Sequence, residues 1–345
     1  MPLADAQDYP LWVNALIFLA AAVLVWMAGT RLAQYTDAIA GRTGMGRALA
    51  GMLLLGVITS LPEVANAITA SVIGNPALAI NNLLGSAAIN ILLLAVADAF
   101  IGRDAVTAVV AKPSTMMMAT LSMIVLIAVA AAVTTGDIPV FGVGLWAVAL
   151  CALSIGGFWA AAGYDRRARW MVKQKDVRAD AAEEESLPYS LRGLVIRTVI
   201  AGGVIFVAGY MLSQTGDALA EQTGLGSGMV GFALIGISTS MPELSTIVAA
   251  LRIRQYDMAF GQVLGTNFVN LSLILLADIA FDGGPVISEL GAFETVSALL
   301  GAALTGIFLV GLLERRNPVV MRMGYDSAAV ILLFVGGLVL LRAVG

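Results

Sequence analysis

GVITSLPE, residues 56–63, and GISTSMPE, residues 236–243, each place adjacent threonine and serine residues, a proline and a glutamate inside a long apolar run. A carboxylate at the centre of a membrane helix is costly unless it is paired, protonated or hydrated. The proline adds to the disturbance, because it cannot donate a backbone hydrogen bond and it clashes with the carbonyl four residues earlier. The two stretches therefore predict interrupted helices around a buried polar site.

The composition indicates a membrane protein. Of 345 residues, 59 % are hydrophobic and only 12 % are charged, and the mean hydropathy is +0.92. Apolar runs of about 20 residues recur along the chain, as in polytopic α-helical membrane proteins, and the alternating ten-residue strands of a β-barrel are not evident. The N-terminus, MPLADAQDYP, lacks a basic region, so we expect no cleavable signal peptide.

The residue types that are missing exclude several kinds of site. The chain has no histidine and one cysteine, Cys151. A Ser-His-Asp triad, a histidine-ligated zinc, a haem with an axial histidine and an intramolecular disulfide are therefore impossible. A metal ion would have to be bound mainly by oxygen atoms, which favours hard cations such as Na⁺, Ca²⁺ or Mg²⁺.

Charged and Gly/Pro-rich breaks divide the chain into ten predicted transmembrane helices. They lie at 11–35, 47–73, 77–100, 114–134, 139–162, 192–215, 227–251, 257–281, 289–313 and 325–343. Arginine and lysine gather in alternate loops, above all in the polar segment 163–191, whereas the opposite loops carry acids such as Asp137 and Asp282. The positive-inside rule then places both termini outside the cell membrane and 163–191 in the cytoplasm.

The two halves of the chain repeat each other at a constant offset. Residues 28–98 align without a gap over 208–278, and the matches include polar pairs such as Asp37 with Asp217, Glu63 with Glu243 and Asn90 with Asn270. Each half holds five predicted spans, and an odd number requires the halves to enter the membrane from opposite sides. The predicted fold is an all-α membrane protein of ten transmembrane helices in two inverted-topology repeats, 1–162 and 192–345, joined by the linker 163–191. This architecture is typical of secondary transporters, whose site lies at the repeat interface.

The repeated motifs predict an all-oxygen cation site. In the first copy, Thr59 and Ser60 precede Glu63 by four and three residues, so the three side chains can share a helix face. The next span of each half adds a hydroxyl and an amide four residues apart, behind Gly85 or Gly265, glycines that let helices approach. The predicted ligands are Glu63, Glu243, Thr59, Ser60, Thr239, Ser240, Ser86, Asn90, Thr266 and Asn270. Asp98 and Asp278 lie near span ends, where we expect capping or interfacial solvation.

These motifs resemble those of the cation/Ca²⁺ exchanger superfamily, and most closely its sodium/calcium exchanger family of prokaryotic type. The resemblance rests on GVITSLPE with NNLLGSAAIN, and on GISTSMPE with GQVLGTNFVN. It implies that Glu63 and Glu243 are the central ligands and that the hydroxyls and amides complete the site. Asn270 stands where many members have an acid, and Ala87 stands where an asparagine is usual, although Asn267 retains it.

We therefore expect a Na⁺/Ca²⁺ antiporter of a cell (inner) membrane that works by alternating access. The expected partners are Na⁺, Ca²⁺ and the lipid bilayer, without nucleic acid, cofactor or catalytic residues, and with a monomer as the functional unit. Three alternatives stay open: a cation/proton antiporter, a cation channel, and an intramembrane hydrolase that uses Ser60 or Ser240. The inverted repeat argues against a channel, and the lack of a histidine base argues against a hydrolase.

Overall fold

The protein is predominantly helical in the part of the chain that the computed structural model describes. That part comprises residues 6–101, 112–162, 164, 187–222, 232, 236–314, 319–320 and 323–344. The α-helices of the first half are α1 (Leu11–Thr43), α2 (Arg47–Ala50), α3 (Gly56–Thr59), α4 (Leu61–Val72), α5 (Pro76–Ile101), α6 (Pro113–Thr135) and α7 (Leu145–Ala161). Those of the second half are α8 (Leu191–Gln222), α9 (Gly236–Thr239), α10 (Met241–Arg252), α11 (Tyr256–Ala280), α12 (Ala292–Glu314) and α13 (Tyr325–Val344).

Eight helical segments among the described residues are long and apolar enough to cross a membrane. They are Leu11–Thr43, Arg47–Val72, Pro76–Asp98, Pro113–Thr135, Leu191–Gly216, Tyr256–Ala280, Ala292–Glu314 and Tyr325–Val344. The helix α7 is apolar but shorter. Of the predicted span 227–251, residues 227–231 and 233–235 lie outside the described residues. The chain is thus an all-α, multi-pass membrane protein.

The predicted span 139–162 begins later than the hydropathy suggested. Residues Pro139–Val140 (β1) and Val143–Gly144 (β2) form an antiparallel hairpin, and α7 starts only at Leu145. Phe141 and Gly142, between the strands, both have positive φ angles, of 54° and 85°. Two consecutive residues with positive φ form the tight turn that suits the twist of a hairpin. Residues 139–144 are therefore not part of the helix, although they are apolar.

A second hairpin lies at the matching place in the second half. In both hairpins, a glycine amide donates a hydrogen bond to an aspartate of a buried helix. The strands Val319–Val320 (β3) and Met323–Gly324 (β4) precede α13. The amide of Gly144 donates to Asp278 of α11 over 2.7 Å, and the amide of Gly324 donates to Asp98 of α5 over 2.8 Å. Of the two roles expected for Asp98 and Asp278, the structure shows capping, because both bind backbone amides and are only 1 % exposed.

The helices α5 and α11 form the centre of the molecule. In the most apolar 18-residue stretch of each helix, 83 % of α5 and 67 % of α11 are buried, whereas only 17 % of α1 is buried. Glycine brings the centre close to the segments that precede the two motifs: a Cβ atom on Gly85 would lie 2.9 Å from the carbonyl carbon of Phe232, and one on Gly265 would lie 2.8 Å from Cα of Met52. The two positions 85 and 265 therefore require glycine, as predicted. The helix α1 packs along α8 at the side of this core.

Candidate cation site

Both motifs break their helices at the serine. In the first copy α3 ends at Thr59, Ser60 has φ −78° and ψ 0°, and α4 begins at Leu61. In the second copy Ser240 has φ −83° and ψ 4° between α9 and α10. Each proline is the second residue of the helix that follows, where the missing N–H would have no intrahelical partner. The five residues before α3, Gly51–Leu55, form a π-helix, a rare geometry that often occurs at functional sites. The predicted interruption is confirmed.

The hydroxyls of the first motif donate their protons to their own helix. Thr59 Oγ1 donates to the Leu55 carbonyl over 2.9 Å, and Ser60 Oγ donates to the Gly56 carbonyl over 2.8 Å. A hydroxyl has one proton and two lone pairs, so these bonds leave the oxygen lone pairs of both side chains available. The two hydroxyls can therefore still serve as ligands for a cation.

The two glutamates lie at the breaks and are fully buried. Glu63 Oε1 accepts a hydrogen bond from Ser86 Oγ over 3.2 Å, while its Oε2 has no partner among the described residues. Glu243 lies beside the hydroxyl of Thr59, yet neither of its oxygens accepts a hydrogen bond from a described residue. Both carboxyl groups thus have oxygens free to bind a cation.

The side chains that could neutralise these carboxylates lie elsewhere. Within the described ranges, the ion pairs are Arg47–Asp37 and Lys112–Asp257, and both include residues at or beside helix ends. A buried charge without a partner is strongly unfavourable. Two carboxylates in the core therefore provide a charge of −2 that a divalent cation, two monovalent cations or two protons would balance.

Polar contacts between side chains join the two halves of the molecule beside Glu63. The hydroxyl oxygens of Ser86 and Thr239 lie 3.2 Å apart. Thr239 donates to Oδ1 of Asn82 over 3.1 Å, and Asn82 donates to Oδ1 of Asn66 over 3.2 Å. The structure therefore brings Glu63, Ser86 and Thr239 together, as the sequence predicted for a shared site.

Asn82 was missing from the predicted ligands, and Asn66 had no assigned role. The available signal was an amide at the same place in both halves, because Gln262 aligns with Asn82 in the repeat. The contact also recurs: Gln262 donates to Thr246, just as Asn82 donates to Asn66. Each amide thus forms a hydrogen bond to the helix that carries the glutamate, α4 in the first half and α10 in the second.

Each central helix also contacts the motif of the other half. A Cβ atom on Gly56 would lie 3.1 Å from the amide nitrogen of Thr266 and 3.3 Å from its hydroxyl oxygen. On the opposite side, one on Gly236 would lie 3.5 Å from the amide nitrogen of Ser86. Thr266 and Ser86 are thus held against the interrupted helices, and Thr266 Oγ1 has no partner among the described residues.

Many of the buried polar atoms without a described partner belong to this site. They are Glu63 Oε2, Glu243 Oε1 and Oε2, Ser240 Oγ, Thr266 Oγ1, Asn90 Oδ1, Gln262 Oε1 and both polar atoms of the Asn270 amide. Buried polar groups in proteins are nearly always hydrogen-bonded. Carboxylate, hydroxyl and amide oxygens are the ligands that Na⁺ and Ca²⁺ prefer, so the chemistry of this set suits a hard cation.

A family model described as sodium/calcium exchanger protein matches residues 13–161 and 194–342. The inner membrane protein YrbG of Escherichia coli (strain K12) is 26 % identical over 297 residues, which cover 86 % of this chain and 87 % of that protein. A solved structure of the sodium-calcium exchanger NCX_Mj superposes with a TM-score of 0.68 at 18 % identity, covering 94 % and 97 % of the two chains. The H+/Ca2+ exchanger CAX superposes with a TM-score of 0.65 at 14 % identity, covering 98 % and 86 %. At these identities, the two structures establish a shared fold.

Proposed function

The chain belongs to the sodium/calcium exchanger protein family, and we propose that it is a secondary active antiporter that exchanges Na⁺ for Ca²⁺ by alternating access. The observation that carries the proposal is the pair of fully buried glutamates, one from each half, with free oxygens amid hydroxyls and amides. The proposed ligands are the ten residues that the motifs predicted. Na⁺ and Ca²⁺ are its transported ions, and the proposed functional unit is a monomer without a cofactor or an enzymatic activity.

The proposed architecture is ten transmembrane helices in two inverted five-helix repeats, 1–162 and 192–345, around the linker 163–191. It is supported by contacts that recur at matching positions of the two halves, such as those of Asp98 and Asp278 with the two hairpins. The basic loops support termini outside and the linker in the cytoplasm. An inner (cytoplasmic) membrane location is supported by the similarity to YrbG, which is named an inner membrane protein.

Charge balance supplies the coupling in this proposal. A cage with two ionised glutamates and no cation cannot easily pass through an occluded state of low dielectric. The cage can pass when it holds Ca²⁺ or several Na⁺ ions, so each crossing carries ions in one direction. The proposed moving part is the pair of α1 and α8, which pack along each other and lie against the motif helices at Gly29 and Gly209.

A cation/proton antiporter is the second candidate, and the amides of the site favour it. Asn90 and Asn270 occupy matching positions in the two halves, so the site has two carboxylates rather than three. Two protons balance two carboxylates as well as one Ca²⁺ does. The similarity to the fold of the H+/Ca2+ exchanger CAX is compatible with this candidate.

Ion flux into proteoliposomes tests both candidates. Radiolabelled Ca²⁺ uptake is measured under outwardly directed Na⁺, K⁺ or H⁺ gradients, imposed one at a time. We expect the Na⁺ gradient to drive uptake, and we expect Glu63→Gln and Glu243→Gln to abolish it. Glu294→Gln is the matched control, because Glu294 is also buried but its oxygens accept hydrogen bonds from Asn81 and the Gly291 amide.

The outcomes separate the candidates. Uptake driven only by the H⁺ gradient would replace Na⁺ with protons as the coupling ion. Ca²⁺ flux without any counter-ion would indicate a channel instead. Exchange of wild-type rate in Glu63→Gln or Glu243→Gln would contradict the assignment of the site.

A further inference from the structure

We propose that Asn267 is a positioning residue that turns the carboxamide oxygen of Asn90 towards the transported cation, and that Ala87, its counterpart in the first half, leaves Asn270 without such a partner. The two halves of the site would then contribute unequal amide ligands, one fixed and one free to rotate. This inference rests on the proposed cation exchange and adds to it a residue that was absent from the predicted ligand set.

The polarity of the hydrogen bonds fixes the orientation of both amides. Asn267 Nδ2 donates to the Ala87 carbonyl over 3.5 Å. This bond is long, but a carbonyl can only accept, so the nitrogen side of the Asn267 amide must face the Ala87 carbonyl. Its oxygen then faces Asn90, whose Nδ2 donates to it over 3.2 Å.

The consequence for Asn90 is that its oxygen is left available. Once Nδ2 is held by Asn267, Oδ1 points away from that contact, and it is fully buried without a partner among the described residues. An amide binds a cation through its oxygen alone, since the NH₂ group has no lone pair to offer. Asn267 thus acts on Asn90 as an outer-shell residue acts on a metal ligand, by fixing its orientation.

The matching contact is missing in the second half. A residue that held Asn270 in the same way would stand at position 87, and alanine has no amide to offer. Accordingly, neither Oδ1 nor Nδ2 of Asn270 has a partner in the described part of the chain, although the residue is fully buried. The Asn270 amide can offer its oxygen to a cation or its NH₂ group to a carboxylate, and it loses rotational freedom when it binds.

A purely structural role of Asn267 makes a different prediction. If the side chain only joined α5 to α11, its removal would lower thermal stability without changing the apparent affinity for Ca²⁺. A positioning role acts through the Asn90 oxygen, so its removal raises the KM for Ca²⁺. The affinity readout therefore distinguishes the two roles.

The experiment measures Ca²⁺ exchange of the full chain in proteoliposomes, together with the Tm in detergent. We expect Asn267→Ala to raise the KM for Ca²⁺ about 10- to 100-fold, the usual effect of removing an outer-shell partner of a metal ligand. Asn267→Leu, which fills the volume without an amide, should raise the KM equally. A double-mutant cycle with Asn90→Ala should show that Asn267→Ala adds nothing further once Asn90 is gone.

The decisive variant exchanges the amide between the halves. Ala87→Asn combined with Asn267→Ala keeps the total side-chain composition and moves the bridge to the other helix, where it would hold Asn270 instead. We expect this double variant to recover most of the lost Ca²⁺ affinity. A wild-type KM in both Asn267→Ala and Asn267→Leu, or additive effects of Asn90→Ala and Asn267→Ala, would overturn the positioning role while leaving wild-type exchange, and so the proposed function, intact.

Discussion

Ser86 shows how a single hydroxyl links the two halves of the site. Its oxygen lies 3.2 Å from Oε1 of Glu63 and 3.2 Å from the hydroxyl of Thr239. Because its proton is donated to the carboxylate, its lone pairs face the remaining space of the site. Ser86 therefore holds Glu63 in place and can itself bind a cation.

We expect Ser86→Ala to weaken Ca²⁺ binding about tenfold or more, because a hydrogen bond to a charged group contributes about 1.5–3 kcal/mol. Ser86→Thr should retain most of the affinity, since Thr266 occupies the matching position in the second half. The measurement is the KM for Ca²⁺ in proteoliposomes. Ser122→Ala is the control: Ser122 is also fully buried, and its hydroxyl has no partner among the described residues. An equal loss in the control would show that the effect is not specific to the site.

At this scale the sequence predicts chemical types better than contacts. Glu63 and Glu243 were recognisable because a carboxylate inside an apolar run is costly and therefore indicates a function. Because they occupy matching positions in the two halves, a shared function was the simplest interpretation. Asn82 was harder to select, because an uncharged amide can be buried in a helix core more readily than a carboxylate, even when Gln262 repeats it. Its bond to Thr239 depends on how α5 is rotated against α9, which no local pattern specifies.

At the scale of the helix, the break at Ser60 separates two short helices that would otherwise form one. The ring of Pro62 would clash with the carbonyl of Ile58 in a continuous helix. The break turns the ends of α3 and α4 towards each other, and Glu63 lies in the first turn of α4. A carboxylate in a first turn lies beside the free backbone N–H groups at the start of the helix.

We expect Pro62→Ala to increase thermal stability by about 0.5–2 kcal/mol while it lowers exchange activity, a combination typical of substitutions that relieve strain at a functional site. The alanine amide can donate to the Ile58 carbonyl and extend the helix through Ser60. The measurements are the Tm in detergent and the exchange rate. Pro76→Ala is the control, because Pro76 is the first residue of α5 and interrupts no helix; wild-type exchange in Pro62→Ala would contradict the need for the break.

The glycines of α8 provide a second test at this scale. A Cβ atom on Gly209 would lie 2.9 Å from Cβ of Pro62, whereas one on Gly203 would have no described residue within 4 Å. We expect Gly209→Ala to slow exchange, because it wedges α8 away from the motif helix, and Gly203→Ala to leave exchange unchanged. Initial rates at saturating Ca²⁺ measure the difference. Equal rates in the two variants would argue against close packing of α8 on the motif as a requirement for exchange.

Hydropathy located most of the helices, and the hairpin at residues 139–144 shows its limit. These residues are apolar enough to read as the start of a span, but Phe141 and Gly142 take up positive φ angles and turn the chain. The interrupted helices, by contrast, were predictable because proline acts locally. Local backbone chemistry was readable from the sequence, whereas the start of α7 depends on the bond between Gly144 and Asp278 of a distant helix.

At the scale of the whole molecule, charge is sorted by position. The ion pairs Arg47–Asp37 and Lys112–Asp257 lie at or beside helix ends, whereas Glu63 and Glu243 lie in the core and form no ion pair with any cationic side chain that the structure describes. The folded protein thus contains two carboxylates in surroundings of low dielectric, and their mutual repulsion opposes folding. A cation bound between them removes that repulsion and binds the folded state only.

We therefore expect Ca²⁺ to stabilise the protein in detergent and chelation to destabilise it. A ligand that binds only the folded state adds about 2.7 kcal/mol at a concentration of 100 times its Kd, so the Tm should rise with the logarithm of the Ca²⁺ concentration. The double variant Glu63→Gln and Glu243→Gln should have a higher Tm than the wild type without Ca²⁺, because it lacks the repulsion, and it should not respond to Ca²⁺. Glu294→Gln should respond as the wild type does. A Ca²⁺-dependent rise in Tm that persists in the double variant would place the stabilising cation outside the two motifs.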